Sequence, residues 1–286
     1  MRRPYKTDLT DEQWAFIQPH LPPIQPKNGF PPTDLREVIN TILYQTRTGV
    51  QWDLLPHDLA PKSTVFDYYA RWTPDGTWQQ ILDAARRAIR RSVGRDEAPS
   101  AAAIDSQSVK TPAGGGDEVG TDGGKRVKGR KRHILTDTLG LLLAVGVTAA
   151  NVSDGRAAPP VLDQLTLPDR SRLEVVFADG RYHDTVCEKW FADHPGCRLE
   201  VVLKPPGTAG FVPIRKRWVV ERTFAWLVSQ RRLVRDYERR VWSSESRVKI
   251  ASISMMLRRL HPPPIRANSN CGANVVSASA SRQKIA

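Results

Sequence analysis

The chain predicts a mixed α/β protein: an N-terminal all-helical region, then a five-stranded mixed sheet flanked by helices. Three observations carry this. Residues 1 to about 95 place apolar side chains at helical spacing. From Ala98 onward, short apolar runs alternate with amphipathic segments. Within that part, Leu141 to Val147 is almost continuously apolar, which suits a strand covered on both faces.

In order, Thr10 and Gln13 open a first helix that Pro22-Pro23 ends. Thr33 caps a second, in which Leu35, Val38, Ile39, Ile42 and Leu43 form one stripe and Gly49 is the stop. Ser63 caps a short helix, Thr64 to Trp72. Trp78, Ile81, Leu82, Ala85 and Ile89 mark a fourth, whose polar face bears Arg86, Arg87, Arg90 and Arg91. Short helices on a basic chain suit a helix-turn-helix module with the Ser63 helix in the major groove, or equally a generic helical bundle.

Ala101 to Val109 is the first strand, and a Gly-rich loop, Ala113 to Gly124, follows it. Arg132 to Asp137 and Leu141 to Thr148 form a hairpin around Thr138-Leu139-Gly140. A helix capped by Ser153 or Asp154 precedes strand Leu173 to Asp179. Helix His183 to His194, strand Leu199 to Lys204, and helical stretches Arg215 to about Val234 and Ser243 to Leu260 complete the fold. The expected domains are 1–95, helical and DNA-binding; 96–260, catalytic; and 261–286, a Pro-, Ser-, Ala- and Asn-rich tail expected to be disordered.

Forty-three Lys and Arg face 30 Asp and Glu, a net +13 that favours a polyanionic partner, nucleic acid before an anionic membrane. No run of eighteen apolar residues and no apolar leader occurs, so a cytoplasmic location is expected. Cys187, Cys197 and Cys271 lack zinc-site or disulfide spacing and are expected to be free thiols. Six of the eight residues from Lys125 to Arg132 are basic and suit backbone phosphates.

Asp105 interrupts an apolar strand, Asp179 ends another, and Glu221 is the one acid on an apolar and basic helix. Burying an ionised carboxylate costs several kcal/mol unless it is compensated. Three carboxylates about 5 Å apart would repel by roughly 3 kcal/mol per pair at an effective dielectric of 20. Cations relieve this, and two divalent ions on hard oxygen ligands suit phosphodiester chemistry. Asp137, Asp117 and Asp122 have turn or loop explanations. Asp154 has a helix-start explanation but lies nearest the sheet's reactive edge, and His133 and His183 are not needed as bases.

The words Asp34-Leu35-Arg36-Glu37, Thr48-Gly49-Val50-Gln51-Trp52, Ile104-Asp105-Ser106-Gln107-Ser108, Lys128-Gly129-Arg130-Lys131-Arg132-His133, Ala178-Asp179-Gly180-Arg181-Tyr182 and Val220-Glu221-Arg222-Thr223-Phe224 recur in one order. Through them the chain resembles, over about residues 5 to 260, bacterial transposases of the insertion-sequence-five group. The resemblance implies a ribonuclease-H-like catalytic domain, with Asp105, Asp179 and Glu221 as a metal-binding catalytic triad. It implies two Mg2+ ions, replaceable by Mn2+, and DNA partners: the element's terminal inverted repeats and a target. A homodimer or larger synaptic complex at the bacterial nucleoid goes with them.

DNA contacts are expected from Lys110, Lys125, Arg126, Lys128, Arg130, Lys131, Arg132, Arg217, Arg222, Arg231 and Arg232. Arg217 fits the family's pattern around the glutamate, whereas Ile214 and Val228 replace its Tyr and Lys, so Arg231 or Arg232 would compensate. With about 41 residues between Asp179 and Glu221, the long β insertion of some relatives should be absent. The implied activity is end cleavage followed by joining of the 3′-OH to target DNA. The rivals are a catalytically inactive or repurposed DNA-binding protein of the same fold, and a structure-specific nuclease.

Overall fold

The computed structural model describes residues 2–23, 32–203 and 217–263. The N-terminal helices are α1 (Asp11–Ile17), α2 (Leu35–Thr48), α3 (Lys62–Arg71) and α4 (Thr77–Ser92). The sheet region runs β1 (Ala101–Lys110), β2 (Gly120–Asp122), β3 (Val127–Asp137), β4 (Leu142–Ala149), α5 (Asp154–Leu162), α6 (Leu167–Arg172), β5 (Val175–Ala178), α7 (Thr185–Ala192), β6 (Arg198–Val201), α8 (Trp218–Val228) and α9 (Val241–Leu260). None of the described helices is long and apolar enough to cross a membrane. Ile214, Cys271 and most of the expected tail lie outside the described residues.

The mixed sheet is present as expected, with one short extra strand. β1, β3 and β4 are antiparallel neighbours; β5 runs parallel to β1, and β6 parallel to β5. The three-residue β2, inside the stretch expected to be loop, pairs with residues 127–129 of β3. The β3–β4 turn is closed by Asp137, whose carboxylate accepts from the amides of Leu139 and Leu141, and by Gly140 at φ 80°.

Side-chain alternation divides the sheet between two cores. Ala102, Ile104, Val176 and Ala178 face one way, against residues of α5 and α7 such as Val161, Leu162, Cys187 and Trp190. Ala103, Val175 and Phe177 face the other way, toward α8 and α9. That second core continues without a break into the N-terminal helices, taking in Val38, Ile42, Val65, Tyr69, Trp72, Ile81 and Ile89. The helices of residues 1–95 therefore share the sheet's core instead of enclosing a separate one.

Details of that region also differ from expectation. Asp34, not Thr33, caps α2, accepting from the amides of Arg36 and Glu37; α3 starts after Pro61, without a side-chain cap. Residues 49–61, with a 3-10 turn at Trp52–Leu54, separate α2 from α3, whereas only residues 72–76, ending in Gly76 at φ 81°, separate α3 from α4. α3 carries two cations, Lys62 and Arg71, and Lys62 is paired with Asp53.

Part of the positive charge turns inward. Arg86 pairs with Asp169 and Arg90 with Asp137, both at 2.6 Å and buried, so half of the expected solvated face of α4 is an internal interface. A second ionic cluster joins β3 to α9. Arg232 Nε lies 2.7 Å and Arg247 Nε 3.4 Å from Glu238, and Arg130 lies 3.4 Å from Asp236. Arg247 also stacks on Tyr69 at 4.3 Å and donates to Thr46, which ties α2 and α3 to the same cluster. Burial alone would raise the Glu238 pKa, but Arg247 and Arg232 outweigh it and hold the carboxyl at about 2.

A carboxyl depressed in the folded state contributes stability that is present above its unfolded value, near 4.5, and lost as pH falls toward about 2. Glu238→Gln should therefore destabilise the protein by about 3 to 5 kcal/mol at neutral pH. In chemical denaturation, it should also remove much of the stability decline between pH 4.5 and 2.

Candidate active site

The parallel pairing of β1 with β5 positions the first two carboxylates. Ala101 lies opposite Val175, Ala102 opposite Val176 and Ala103 opposite Phe177. Asp105 follows Ala101 by four residues, as Asp179 follows Val175, so the same register carried two residues past the last pair brings Asp179, just beyond the end of β5, toward Asp105 in the middle of β1. Both have the parity of Ala103 and Phe177, so they share the face that α8 covers. Glu221 is in the first turn of α8, beside Val219 and Val220, which pack into that core.

The electrostatics agree with this proximity. Burial raises the Asp105 pKa to about 6, with the charges of Asp179 and Glu221 adding to the shift. The Ser106 amide, which donates to Asp105 Oδ1 at 2.7 Å, and the Arg217 guanidinium oppose it. Asp179 Oδ1 accepts from the Arg181 amide at 2.9 Å. Glu221 Oε1 accepts from Arg217 at 2.9 Å, and its buried Oε2 has no hydrogen-bond partner among the described residues.

Three mutually repelling carboxylates, with an unsatisfied buried oxygen on one of them, fit a hard divalent cation. Among the described residues, no group of three acidic, histidine or cysteine side chains is already drawn together tightly enough to hold a metal. Glu221 is turned to Arg217 instead, so Arg217 is the cation next to the acids.

The other expected DNA contacts divide by exposure. Lys110, Lys125, Arg126, Lys128 and Arg231 are exposed. Arg222 is half-buried between the rings of Trp218 and Trp226, at 4.4 and 4.5 Å, and donates to the Leu139 carbonyl. Beside it opens a cavity of about 590 Å³ lined by Phe177, Trp218, Arg222, Trp226 and Arg259.

Four expectations are corrected. Arg130, Lys131, Arg132 and Arg232 are buried and cannot reach DNA phosphates. β3 is an interior strand covered by the segment before α9, so its Arg130 donates to the carbonyls of Glu238 and Arg239, and its Arg132 to that of Leu233. Lys131 pairs with Asp154, and Arg232 with Glu238.

His133 is buried against Thr148, and burial lowers its pKa to about 4; His183 is exposed and contacts Glu188. The buried Cys187 and Cys197 are free thiols. Two features had weaker sequence signals. Trp218, Arg222 and Trp226 recur every fourth residue, a spacing that stacks side chains on one helix face. Asp154, at the start of α5, points inward to Ser106 and Lys131.

Comparisons with known proteins give the family. Residues 9–82 match the family described as "Putative transposase of IS4/5 family", and residues 96–257 match "Transposase DDE domain". The chain is 30% identical over 121 residues to the "Insertion element IS402 uncharacterized 16.2 kDa protein" of Burkholderia cepacia, covering 40% of this chain and 80% of that protein. It is 38% identical over 120 residues to the "Putative transposase for insertion sequence element IS402" of the same organism. That match covers 39% of this chain and 55% of the relative, so the chain spans just over half of that relative's length. With the second family match extending over more than half of its residues, the chain belongs to the DDE transposase family.

Proposed function

We propose that this transposase binds the terminal inverted repeats of its element, cleaves the phosphodiester at each end and joins the exposed 3′-OH to target DNA. The observation that supports this best is the β1–β5 register, which leads from the Ala103–Phe177 pair toward Asp105 and Asp179, close enough for the charges of Asp179 and Glu221 to act on Asp105, with a buried Glu221 oxygen left unpartnered among the described residues. In this reading Asp105, Asp179 and Glu221 hold two Mg2+ ions, or Mn2+ in their place. Such ions, when bound, would activate the attacking water or hydroxyl and neutralise charge on the leaving oxygen.

The protein's own contribution is placement. β1 and β5 fix two carboxylates on a hydrogen-bonded frame, so little rearrangement is needed on that side. Arg217, next to both Glu221 and Asp105, is positioned to meet a phosphate oxygen once Glu221 turns toward a cation. Lys110, Lys125, Arg126, Lys128, Arg222 and Arg231 supply sequence-independent phosphate contacts. Two ends must be brought together, so the active assembly contains at least two copies.

Asp105 provides a test with two readouts. Its folded-state pKa lies above the ordinary 3.8, so the stability it contributes is present at low pH and lost as pH rises through about 6. At pH 7.5 in chelator, Asp105→Asn should therefore stabilise the protein by about 1 to 2 kcal/mol, allowing for solvent screening, and have little effect at pH 4. The same variant should lose metal-dependent end cleavage by more than about 100-fold while still binding end DNA. Wild-type cleavage by this variant would refute the assignment.

Charge placement gives a second test. Replacing Lys125, Arg126 and Lys128 together by Ala should weaken end-DNA binding across sequences. The slope of log K against log salt should fall by about 2 to 3. Arg130→Ala should instead lower thermal stability, because its partners are internal carbonyls and Asp236.

A further inference from the structure

Asp154 is 3% exposed, yet it is the first residue of a helix, where an acid ordinarily faces solvent. Its Oδ1 accepts from the Ser106 hydroxyl at 2.8 Å and pairs with Lys131 Nζ at 3.0 Å; its Oδ2 lies 3.7 Å from Arg181 Nη1. Two of those partners are the residues that hold the proposed metal ligands. The Ser106 amide donates to Asp105, and the Arg181 amide donates to Asp179. One carboxylate on the back of the sheet thus contacts the residue after each of the two aspartates or its near neighbour, in the middle of β1 and just past the end of β5.

The seating of this carboxylate is tight. A Cβ on Gly155 would come within 2.2 Å of Asp184 Cβ, so the start of α5 is pressed against the segment that follows Asp179. Lys131 also donates to the Val152 carbonyl at 2.7 Å, fixing the chain just before α5. Close by, the buried Tyr182 hydroxyl has no hydrogen-bond partner among the described residues; of the three side chains around Asp154, Ser106 and Lys131 are buried and Arg181 is exposed. Burying an ion pair here contributes little net stability compared with an apolar pair of similar volume. Stability alone therefore does not account for Asp154.

We propose that Asp154 is a positioning residue for the metal site, acting through Ser106 on Asp105 and through Arg181 on Asp179. The inference rests on the reading of Asp105, Asp179 and Glu221 as metal ligands. It makes Asp154 necessary for cation affinity although it touches no cation, because groups that orient ligands from behind tune affinity strongly.

The test is Mn2+ binding to the full-length protein, followed by electron paramagnetic resonance without DNA, alongside thermal melts. Asp154→Asn should weaken Mn2+ binding by about tenfold or more. Ser106→Ala, which leaves the Lys131 ion pair intact, should do the same, and the double variant should be no weaker than the worse single one. Asp169→Asn, which breaks the buried pair with Arg86 elsewhere in the fold, should lower the melting temperature without changing Mn2+ affinity.

Wild-type Mn2+ affinity in Asp154→Asn and Ser106→Ala would overturn the inference. So would an equal loss of affinity in Asp169→Asn. If Asp154→Asn fails to fold, Ser106→Ala decides alone. Asp105→Ala separates the two levels. Loss of Mn2+ binding there with none in Ser106→Ala refutes only the positioning role, whereas retained binding in Asp105→Ala refutes the metal-site reading and this inference with it.

Discussion

Parallel hydrogen bonding between β1 and β5 sets the positions of Asp105 and Asp179, the two acids that α8 and Glu221 are packed against. Because residue 101 pairs with 175, residue 105 reaches the same level as 179, and a slip of one residue would send one aspartate to the opposite face. Both strands are buried on two sides, so the register is pinned by two sets of core contacts at once. Ala102, Ile104, Val176 and Ala178 anchor it against α5 and α7; Ala103, Val175 and Phe177 anchor it against α8 and α9. The acids stand where this packing ends. They are close enough to repel and rigid enough not to move apart, which is the condition a divalent cation relieves.

The same fold turns part of a strongly basic chain inward. Arg86, Arg90, Arg130, Arg132, Arg232 and Arg247 are buried, and they donate to main-chain carbonyls or to Asp and Glu side chains. Arginine suits this use because its planar fork serves several acceptors and its charge is not lost on burial. The arginine contacts bind segment 231–240, α9 and the N-terminal helices to β3, so the helical region and the catalytic sheet form one packed unit. Cations outside this network, such as Lys125, Arg126 and Lys128, face solvent.

What was legible in the sequence was what depends on local pattern. The apolar run from Leu141, the hairpin at Thr138-Leu139-Gly140, the strand that contains Asp105 and the strand that ends at Asp179 all have local causes, and all are present. The basic run was misread at Arg130, Lys131 and Arg132. Charge density in a sequence does not tell which side of a sheet a residue meets, nor that Asp236, about a hundred positions later, supplies a carboxylate to Arg130 and Arg132. The path between the N-terminal helices is hidden for a similar reason. Cap residues and apolar stripes mark where α2 and α3 lie but not the path of residues 49–61 or the shared core beneath them. Asp154 looked like a helix cap because its partners, Ser106 and Lys131, are reached only through the tertiary fold.

The central claim is that strand register makes Asp105 and Asp179 joint ligands of a divalent ion, with Glu221 completing the set. Anomalous diffraction from crystals grown with Mn2+ tests it most directly. The claim predicts a manganese peak in contact with both Asp105 and Asp179, and a Glu221 carboxylate turned from Arg217 toward the metal. Manganese bound elsewhere, with Asp105 free of metal and Glu221 still paired to Arg217, would contradict it.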